Sequence, residues 1–208
     1  MESESILDRV AAYYEGRLRE HGATPAGVDW NSEASQRLRF EQLLRIVTRA
    51  DGHGSINDFG CGYGALADYL ADNYPEWGYN GFDASPRMIE AATRLQHSRA
   101  QYRFTSHLGA MPKATYTLAS GVFNVKLDTP AAVWLDYILA TLDTLASLST
   151  AGFAFNILTG YAEPARQRAD LYYADPLVLF EHCRRRFSTR VALLHDYPLF
   201  EFTILVRL

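Results

Sequence analysis

The sequence has few of the features that define several broad protein classes. Only two of its 208 residues are cysteines, Cys61 and Cys183, and their separation fits neither a zinc site nor a thioredoxin motif. No window approaches the roughly 18 uninterrupted apolar residues of a membrane span. The opening MESESILDR is too acidic and polar for a signal peptide. We therefore expect a cytoplasmic protein with reduced thiols and no membrane partner.

Positive charge is also scarce. The chain carries 20 lysines and arginines against 24 aspartates and glutamates, which gives a formal net charge of −4. Proteins that bind nucleic acid release counterions with an excess of positive charge, which this chain lacks. It also lacks a G-x-S-x-G nucleophile elbow and any His/Cys set with metal-ligand spacing. The sequence thus predicts no nucleic-acid partner and no catalytic metal, and a small molecule is the expected partner.

The length and the apolar fraction of 48% suit one domain with a large core. A first helix is predicted over residues 6–19, and the breaker-rich segment HGATPAGVDWN follows it. We expect residues 1–31 to form a helical arm or lid and residues 32–208 to form the main domain. A monomer and a homodimer are both compatible with this organisation.

After the arm, the hydrophobic pattern alternates between the periods of helices and strands. Helices are predicted from residue 32 and over 65–73, 86–95, 130–148 and 176–186, and strands over 55–59, 78–83, 101–105, 116–120, 152–158, 191–195 and 200–206. The last two strands are so close in sequence that they must be antiparallel. The expected fold class is α/β, with five βα units in a mostly parallel sheet, helices on both faces and a terminal β-hairpin.

The strongest local motif is INDFGCGYGA, where the first strand turns into a helix. Gly60, Gly62 and Gly64 are expected to take positive φ and to expose N–H groups to a ligand. Asp83 ends the second strand, where its carboxylate can accept hydrogen bonds from both hydroxyls of a ribose. Because GCGYGA also fits the loose dinucleotide pattern, a nicotinamide cofactor and an NAD(P)-dependent oxidoreductase stay open at this point.

The segments INDFGCGYGAL and YNGFDASPRMIEAA, the helical preamble and the terminal hairpin together resemble the class I S-adenosylmethionine-dependent methyltransferases over about residues 30–208. The resemblance implies S-adenosylmethionine as the cofactor and a Rossmann-like seven-stranded sheet whose last strand inserts antiparallel between the fifth and sixth. It implies that the first-strand loop faces the methionine part, that the second-strand acid holds the ribose, and that the methyl group meets its acceptor past the fourth strand. The implied cofactor residues are Asp58, Gly60, Cys61, Gly62, Asp83, Ala84, Met88 and Gly121.

The arm segment VDWNSEASQRLRF is similar to a Trp-containing arm of some small-molecule methyltransferases. On this resemblance, Trp30 shields the cofactor's sulfonium and Arg39 pairs with its carboxylate. The alternative is that Trp30 staples the start of a helix and that Arg39 is solvated.

A hydroxyl or carbon acceptor would need a general base, and three side chains at predicted strand ends are candidates: His107, Asn124 and His195. Each can equally be an ordinary loop or turn residue. The sequence therefore predicts methyl transfer to a small molecule, with O- or N-methylation preferred over C-methylation. The alternatives are the oxidoreductase named above and a non-catalytic S-adenosylmethionine-binding module.

Overall fold

The centre of the fold is a seven-stranded sheet with helices on both of its faces. A computed structural model describes residues 2–48, 52–99 and 101–208. The strands are β1 Ser55–Phe59, β2 Gly78–Phe82, β3 Arg103–Thr105, β4 Ala114–Ala119, β5 Ser149–Leu158, β6 Arg190–Leu194 and β7 Glu201–Arg207. The α-helices of the described residues are α1 Glu2–His21, α2 Glu33–Leu44, α3 Ala65–Asn73, α4 Pro86–Leu95, α5 Ala131–Ser147 and α6 Pro176–Arg186.

The strand order across the sheet is β3-β2-β1-β4-β5-β7-β6. Strands β1 to β5 pair in parallel, whereas β7 pairs antiparallel with both β5 and β6. The predicted α/β fold, its terminal hairpin and the antiparallel insertion of the last strand are confirmed. Since the first five strands share one direction, their carboxyl ends meet at one edge of the sheet, where ligands of such folds bind.

Two apolar clusters hold the helices against opposite faces of the sheet. One joins α5 and α6 to β5 through residues such as Trp134 and Phe155, both fully buried. The other joins α2 and α3 to β1 through residues such as Leu43 and Ile56. No α-helix in the described part of the chain is both long and apolar enough to cross a membrane.

The helix that follows β2 begins as its sequence predicts. Ser85 is the N-cap, its Oγ accepts a hydrogen bond from the Met88 N–H at 3.2 Å, and Pro86 occupies the first turn. Such a cap satisfies a donor that the helix itself leaves unpaired. The cap therefore fixes where β2 ends and α4 begins, and it places Asp83 between them.

The burial of strand β7 differs from what its sequence pattern alone indicates. Its alternation of apolar and polar residues is typical of a strand with one solvated face, but β7 lies between two strands and both of its faces are covered. Glu201 and Thr203, on its polar side, are 1% and 0% exposed. A carboxylate with so little access to water needs partners inside the protein.

Candidate functional site

A cavity opens over the carboxyl ends of the neighbouring strands β2, β1 and β4. It encloses about 890 Å³, including its open mouth. Its walls come from the loop after β1, the turn from β2 into α4, the loop after β4, the arm around Trp30 and one face of α1. The cavity thus gathers segments from both halves of the chain at the edge where the fold predicts a ligand.

The glycine loop, residues 60–64, forms one wall. Its three glycines have positive φ, between 53° and 84°, as predicted. The prediction that their N–H groups face a ligand is wrong, because all three donate within the protein. Gly60 donates to the Phe82 carbonyl, Gly62 donates to the Asp83 Oδ2 atom, and Gly64 donates to the Cys61 carbonyl. The N–H groups therefore fix the shape of the loop.

What these glycines supply to the cavity is the lack of a side chain. A Cβ on Gly60 would lie 2.5 Å from Val122 Cγ2, and one on Gly62 would lie 3.1 Å from Val28 Cγ1. The loop after β4 and the arm can approach the glycine loop only because those positions are empty. The close approach brings the three walls together around one space.

Asp83 is held rigidly at the end of β2. Its Oδ1 accepts from the Ser85 N–H and its Oδ2 from the Gly62 N–H, both at 2.9 Å. Burial raises the pKa of Asp83 to about 6, although these two hydrogen bonds oppose the rise. Each oxygen keeps a second lone pair, so the ionised carboxylate can accept two further hydrogen bonds from a ligand.

Asp58 lies beside the glycine loop in the same cavity and is only 3% exposed. The Tyr79 hydroxyl donates to its Oδ2 at 2.8 Å. Burial raises the pKa of Asp58 to about 7, with the Tyr79 hydrogen bond acting in the opposite direction. Asp58 therefore changes its protonation state close to neutral pH.

This raised pKa predicts how stability depends on pH. In the unfolded chain Asp58 loses its proton near pH 3.8, whereas the folded protein keeps it up to about pH 7. The folded state binds more protons in between, so the free energy of unfolding falls as pH rises through that window. Asp58 alone contributes a fall of about 1 kcal/mol between pH 6 and 7.

We expect Asp58→Asn to remove that part of the fall. Urea denaturation of the ligand-free protein at pH 6 and 7 measures it. The matched control is Asp72→Asn, on the exposed side of α3, which should leave the parent's slope unchanged. An equal slope for parent and Asp58→Asn would contradict the assignment.

The loop after β4 presents a glycine and an unpaired hydroxyl to the cavity. Gly121 has φ 73°, and a Cβ there would lie 2.3 Å from Trp30 Cη2, so the indole rests directly on this glycine. The Ser120 Oγ is shielded from solvent and has no hydrogen-bond partner among the described residues. A buried hydroxyl without a partner is unfavourable until something bonds to it, which makes Ser120 a candidate ligand contact.

Helix α1 covers the cavity with an apolar stripe. Leu7, Val10, Ala11 and Tyr14 all line it, at the i, i+3, i+4, i+7 spacing of one helix face. Burial raises the pKa of Tyr14 far above its ordinary value, so its hydroxyl keeps its proton at neutral pH. The sequence predicts a helical arm or lid in this region, and the structure shows which face of α1 turns to the cavity.

Polar contacts hold α1 in that position. Arg9, near its start, pairs with Asp128 in the loop that precedes α5. Arg17 Nε, near its end, lies 2.7 Å from Asp29 Oδ1 in the arm. Between them, Glu15 Oε1 accepts from the Ser85 hydroxyl at 2.9 Å. The helix is therefore tied to three separate walls of the cavity.

Most of the cofactor residues that the sequence predicts lie together in this cavity. Its lining includes Trp30, Asp58, Gly60, Cys61, Gly62, Asp83, Ala84, Met88 and Gly121. Burial raises the pKa of the Cys61 thiol, which keeps it neutral. Their contacts with a cofactor remain predictions.

Arg39 has partners that neither sequence interpretation foresaw. It is 6% exposed, so it is not solvated, and its guanidinium is paired with Glu201 instead of lining the cavity. The two residues lie 162 positions apart in the chain. A local sequence pattern carries no signal for such a pair.

The three predicted catalytic residues lie outside the cavity lining. His107 and His195 are exposed and follow β3 and β6, the two edge strands, whereas the cavity lies over the middle of the sheet. Asn124 is buried, and its Oδ1 accepts from the Leu158 N–H at 3.2 Å, which ties the loop to β5. None of these three side chains lines the cavity, and a catalytic role for any of them remains a prediction.

Comparison with known proteins gives a consistent set of matches. A family model described as "Methyltransferase domain" matches residues 57–148. A protein of Mycobacterium tuberculosis, described as "Putative methyltransferase Rv1506c", is 51% identical over 164 residues, which cover 79% of this chain and 98% of that protein.

Two solved structures share the fold at low identity. The magnesium protoporphyrin IX methyltransferase of Synechocystis PCC 6803 with bound SAH superposes with a TM-score of 0.69 at 17% identity, covering 100% of this chain and 99% of that one. The N-methyltransferase NodS of Bradyrhizobium japonicum WM9, in complex with S-adenosyl-L-homocysteine, gives 0.66 at 16% identity, with 93% and 97% covered.

Proposed function

Since this chain belongs to the class I S-adenosylmethionine-dependent methyltransferases, we propose that it methylates a small molecule with an apolar body, bound beneath helix α1. One observation carries the proposal: a single cavity joins the Asp83 and glycine-loop wall to the apolar stripe of α1. Family membership sets aside the oxidoreductase alternative.

The residues at the cavity wall fit the cofactor. Asp83 offers two oriented acceptors for the ribose hydroxyls, and Ala84 and Met88 continue the same wall towards the nucleoside. The glycine loop leaves space where side chains would stand, and the unpaired Ser120 hydroxyl can meet a polar group of either reactant. S-adenosylmethionine supplies an electrophilic methyl group on its sulfonium.

The acceptor side is mostly apolar. Leu7, Val10 and Ala11 of α1 face it together with Val122 of the loop after β4. An apolar wall favours an acceptor that buries hydrocarbon or aromatic surface. One structural neighbour is described as a magnesium protoporphyrin IX methyltransferase, and magnesium protoporphyrin IX is also a small molecule.

The protein's own contribution to methyl transfer is alignment and exclusion of water. Attack of the acceptor on the methyl carbon of a sulfonium would break the carbon–sulfur bond and release a neutral thioether, which needs no acid. The rate would then depend on holding both reactants in line. Helix α1 covers the cavity, and its Tyr14 hydroxyl stays protonated. Tyr14 can orient an oxygen or nitrogen acceptor by a hydrogen bond, and we therefore favour O- or N-methylation.

Calorimetry and a methyl-transfer assay test this function. We expect S-adenosylhomocysteine to bind and NADH not to bind. A cell extract incubated with the protein and S-adenosylmethionine should yield a product heavier by one methylene. Cofactor binding without any methylated product, across extracts and candidate acceptors, would favour the non-catalytic module, and binding of NADH alone would reject the proposal.

A substitution on α1 separates the acceptor side from the cofactor side. Ala11→Phe adds a ring where α1 faces the cavity. For the acceptor identified by the extract assay, we expect the KM to rise about tenfold or more, which corresponds to a loss of about 1.4 kcal/mol of binding free energy. The affinity for S-adenosylhomocysteine should stay within about twofold of the parent.

The matched control for this substitution is Ala12→Leu, one position further on the exposed face of the same helix. It should change neither value. If Ala11→Phe instead weakens S-adenosylhomocysteine and leaves the acceptor KM unaltered, the α1 stripe belongs to the cofactor site and the assignment of the two sides is wrong.

A further inference from the structure

A chain of buried polar groups runs from β7 to the cavity. Glu201 accepts two hydrogen bonds from Arg39 Nε, at 2.8 and 3.0 Å, and a further one from its terminal nitrogen. Its Oε2 also accepts from Asn156 Nδ2 at 2.5 Å. Glu201, Arg39 and Asn156 are 1%, 6% and 0% exposed. None of the three lines the cavity.

Both ends of this chain reach residues that do line the cavity. The Arg39 guanidinium carbon lies 3.8 Å from the centre of the Trp30 ring. At the other end, Asn156 Oδ1 accepts from the Gly121 N–H at 2.8 Å. Trp30 and Gly121 are themselves in contact, so this series of contacts forms a closed ring behind that part of the cavity wall.

Glu201 orients the two residues that connect it to the cavity wall, Arg39 and Asn156. A carboxylate that takes two donors of one guanidinium fixes the plane of that group, and this plane is what Trp30 packs against. Because Glu201 accepts from the Asn156 amide nitrogen, the amide oxygen must point to Gly121. Without the carboxylate, the guanidinium keeps only the hydrogen bond from Nη1 to the Ser35 carbonyl, and the amide keeps only the one from the Gly121 N–H.

Stability alone is a weak reason for a buried ion pair. Its desolvation offsets most of its attraction, and apolar residues of similar volume often stabilise a fold as well or better. The pair also lies where α2 meets the start of β7, a strand with both faces covered, and apolar residues would pack readily there. What apolar residues cannot supply is a fixed guanidinium plane and an acceptor for the Asn156 amide nitrogen.

We propose that Glu201 is a positioning residue for the cofactor site, acting through Arg39 and Asn156 to hold Trp30 and Gly121 in place against the bound cofactor. The inference rests on the proposed function, since it takes S-adenosylmethionine as the ligand of this cavity. It adds three residues that contact no ligand themselves.

Two variants separate positioning from stability. The double variant Arg39→Met with Glu201→Leu replaces the ion pair by apolar groups of similar size. We expect it to fold, with a melting temperature below the parent's because the buried Asn156 Nδ2 loses its acceptor. Arg39→Lys keeps the charge balance but loses the planar fork. Both should bind S-adenosylhomocysteine about tenfold more weakly, the effect of about 1.4 kcal/mol of lost preorganisation.

A spectroscopic readout reports on the wall itself. Trp30 emission, obtained by subtracting the signal of the matching Trp30→Phe protein, should change when S-adenosylhomocysteine binds to the parent and change much less in both variants. Ser149→Ala is the control, because it removes a buried hydrogen bond to Thr117 at the far end of β5. It should lower the melting temperature and leave both readouts unaltered.

The outcomes distinguish the two proposals. A parent protein that does not bind S-adenosylhomocysteine overturns the proposed function and this inference with it. A parent that binds, with the double variant binding equally well and giving the same Trp30 response, overturns the positioning role alone. If the double variant does not fold, Arg39→Lys decides by the same two readouts.

Discussion

Replacing Asp83 by alanine is expected to weaken the binding of S-adenosylhomocysteine by about 100-fold, or about 3 kcal/mol. The substitution removes both acceptors proposed for the ribose hydroxyls. It also leaves the N–H groups of Gly62 and Ser85 without their present acceptor, so the glycine loop and the start of α4 lose a common anchor. We therefore expect a loss of binding free energy at the upper end of the range for removing one side chain.

Calorimetry at pH 8 is the appropriate measurement, since the Asp83 carboxylate is then ionised. Asp83→Asn keeps the shape and one acceptor oxygen, and it should bind more tightly than Asp83→Ala but less tightly than the parent. Asp72→Ala, on the exposed side of α3, serves as the control. An Asp83→Ala protein with the parent's affinity would reject Asp83 as a ribose ligand.

The second large effect is expected for Gly121→Ala, which should lower the free energy of unfolding by about 2–4 kcal/mol. A φ of 73° is unfavourable for alanine, and the new Cβ would lie 2.3 Å from Trp30 Cη2. Trp30 cannot move aside without leaving the guanidinium of Arg39. Strain and overlap therefore add up at this position.

Gly109→Ala is the control for Gly121→Ala. A Cβ on Gly109 meets nothing within 4 Å and its φ is not in the left-handed region, so its unfolding free energy should stay within about 0.5 kcal/mol of the parent's. In a double-mutant cycle, Trp30→Ala should relieve the overlap term in the Gly121→Ala protein and leave the backbone strain. If urea denaturation gives parent and Gly121→Ala the same stability, the close contact with Trp30 is not present.

The residues that the sequence identified at the cavity share one property: each is marked by its immediate neighbours. The alternating glycines, the acid at the end of β2 and the Ser85 cap with Pro86 are local patterns with local causes. Parallel strands then bring their carboxyl ends to one edge, and these residues come together. The prediction of free N–H groups in the glycine loop was wrong, because the Phe82 carbonyl and the Asp83 carboxylate already accept hydrogen bonds from that loop.

The two candidate histidines lie outside the cavity lining for a reason of topology. His107 and His195 do follow strands, as predicted, but those strands are β3 and β6 at the two edges of the sheet. Chemical suitability for proton transfer says nothing about the lateral position of a strand. The order of strands in the sheet, with β1 and β4 in the middle, decides which loops can share a ligand.

By itself, the sequence determined the fold class, the direction of the strands and the glycine and acidic residues of the cavity, because periodicity, caps and short connections act over a few residues. Only the tertiary structure decided which face of α1 lines the cavity and that Glu201 meets Arg39 behind its wall. Those contacts join segments up to 162 positions apart. They depend on the packing of helices and strands in three dimensions, for which a local pattern carries no signal.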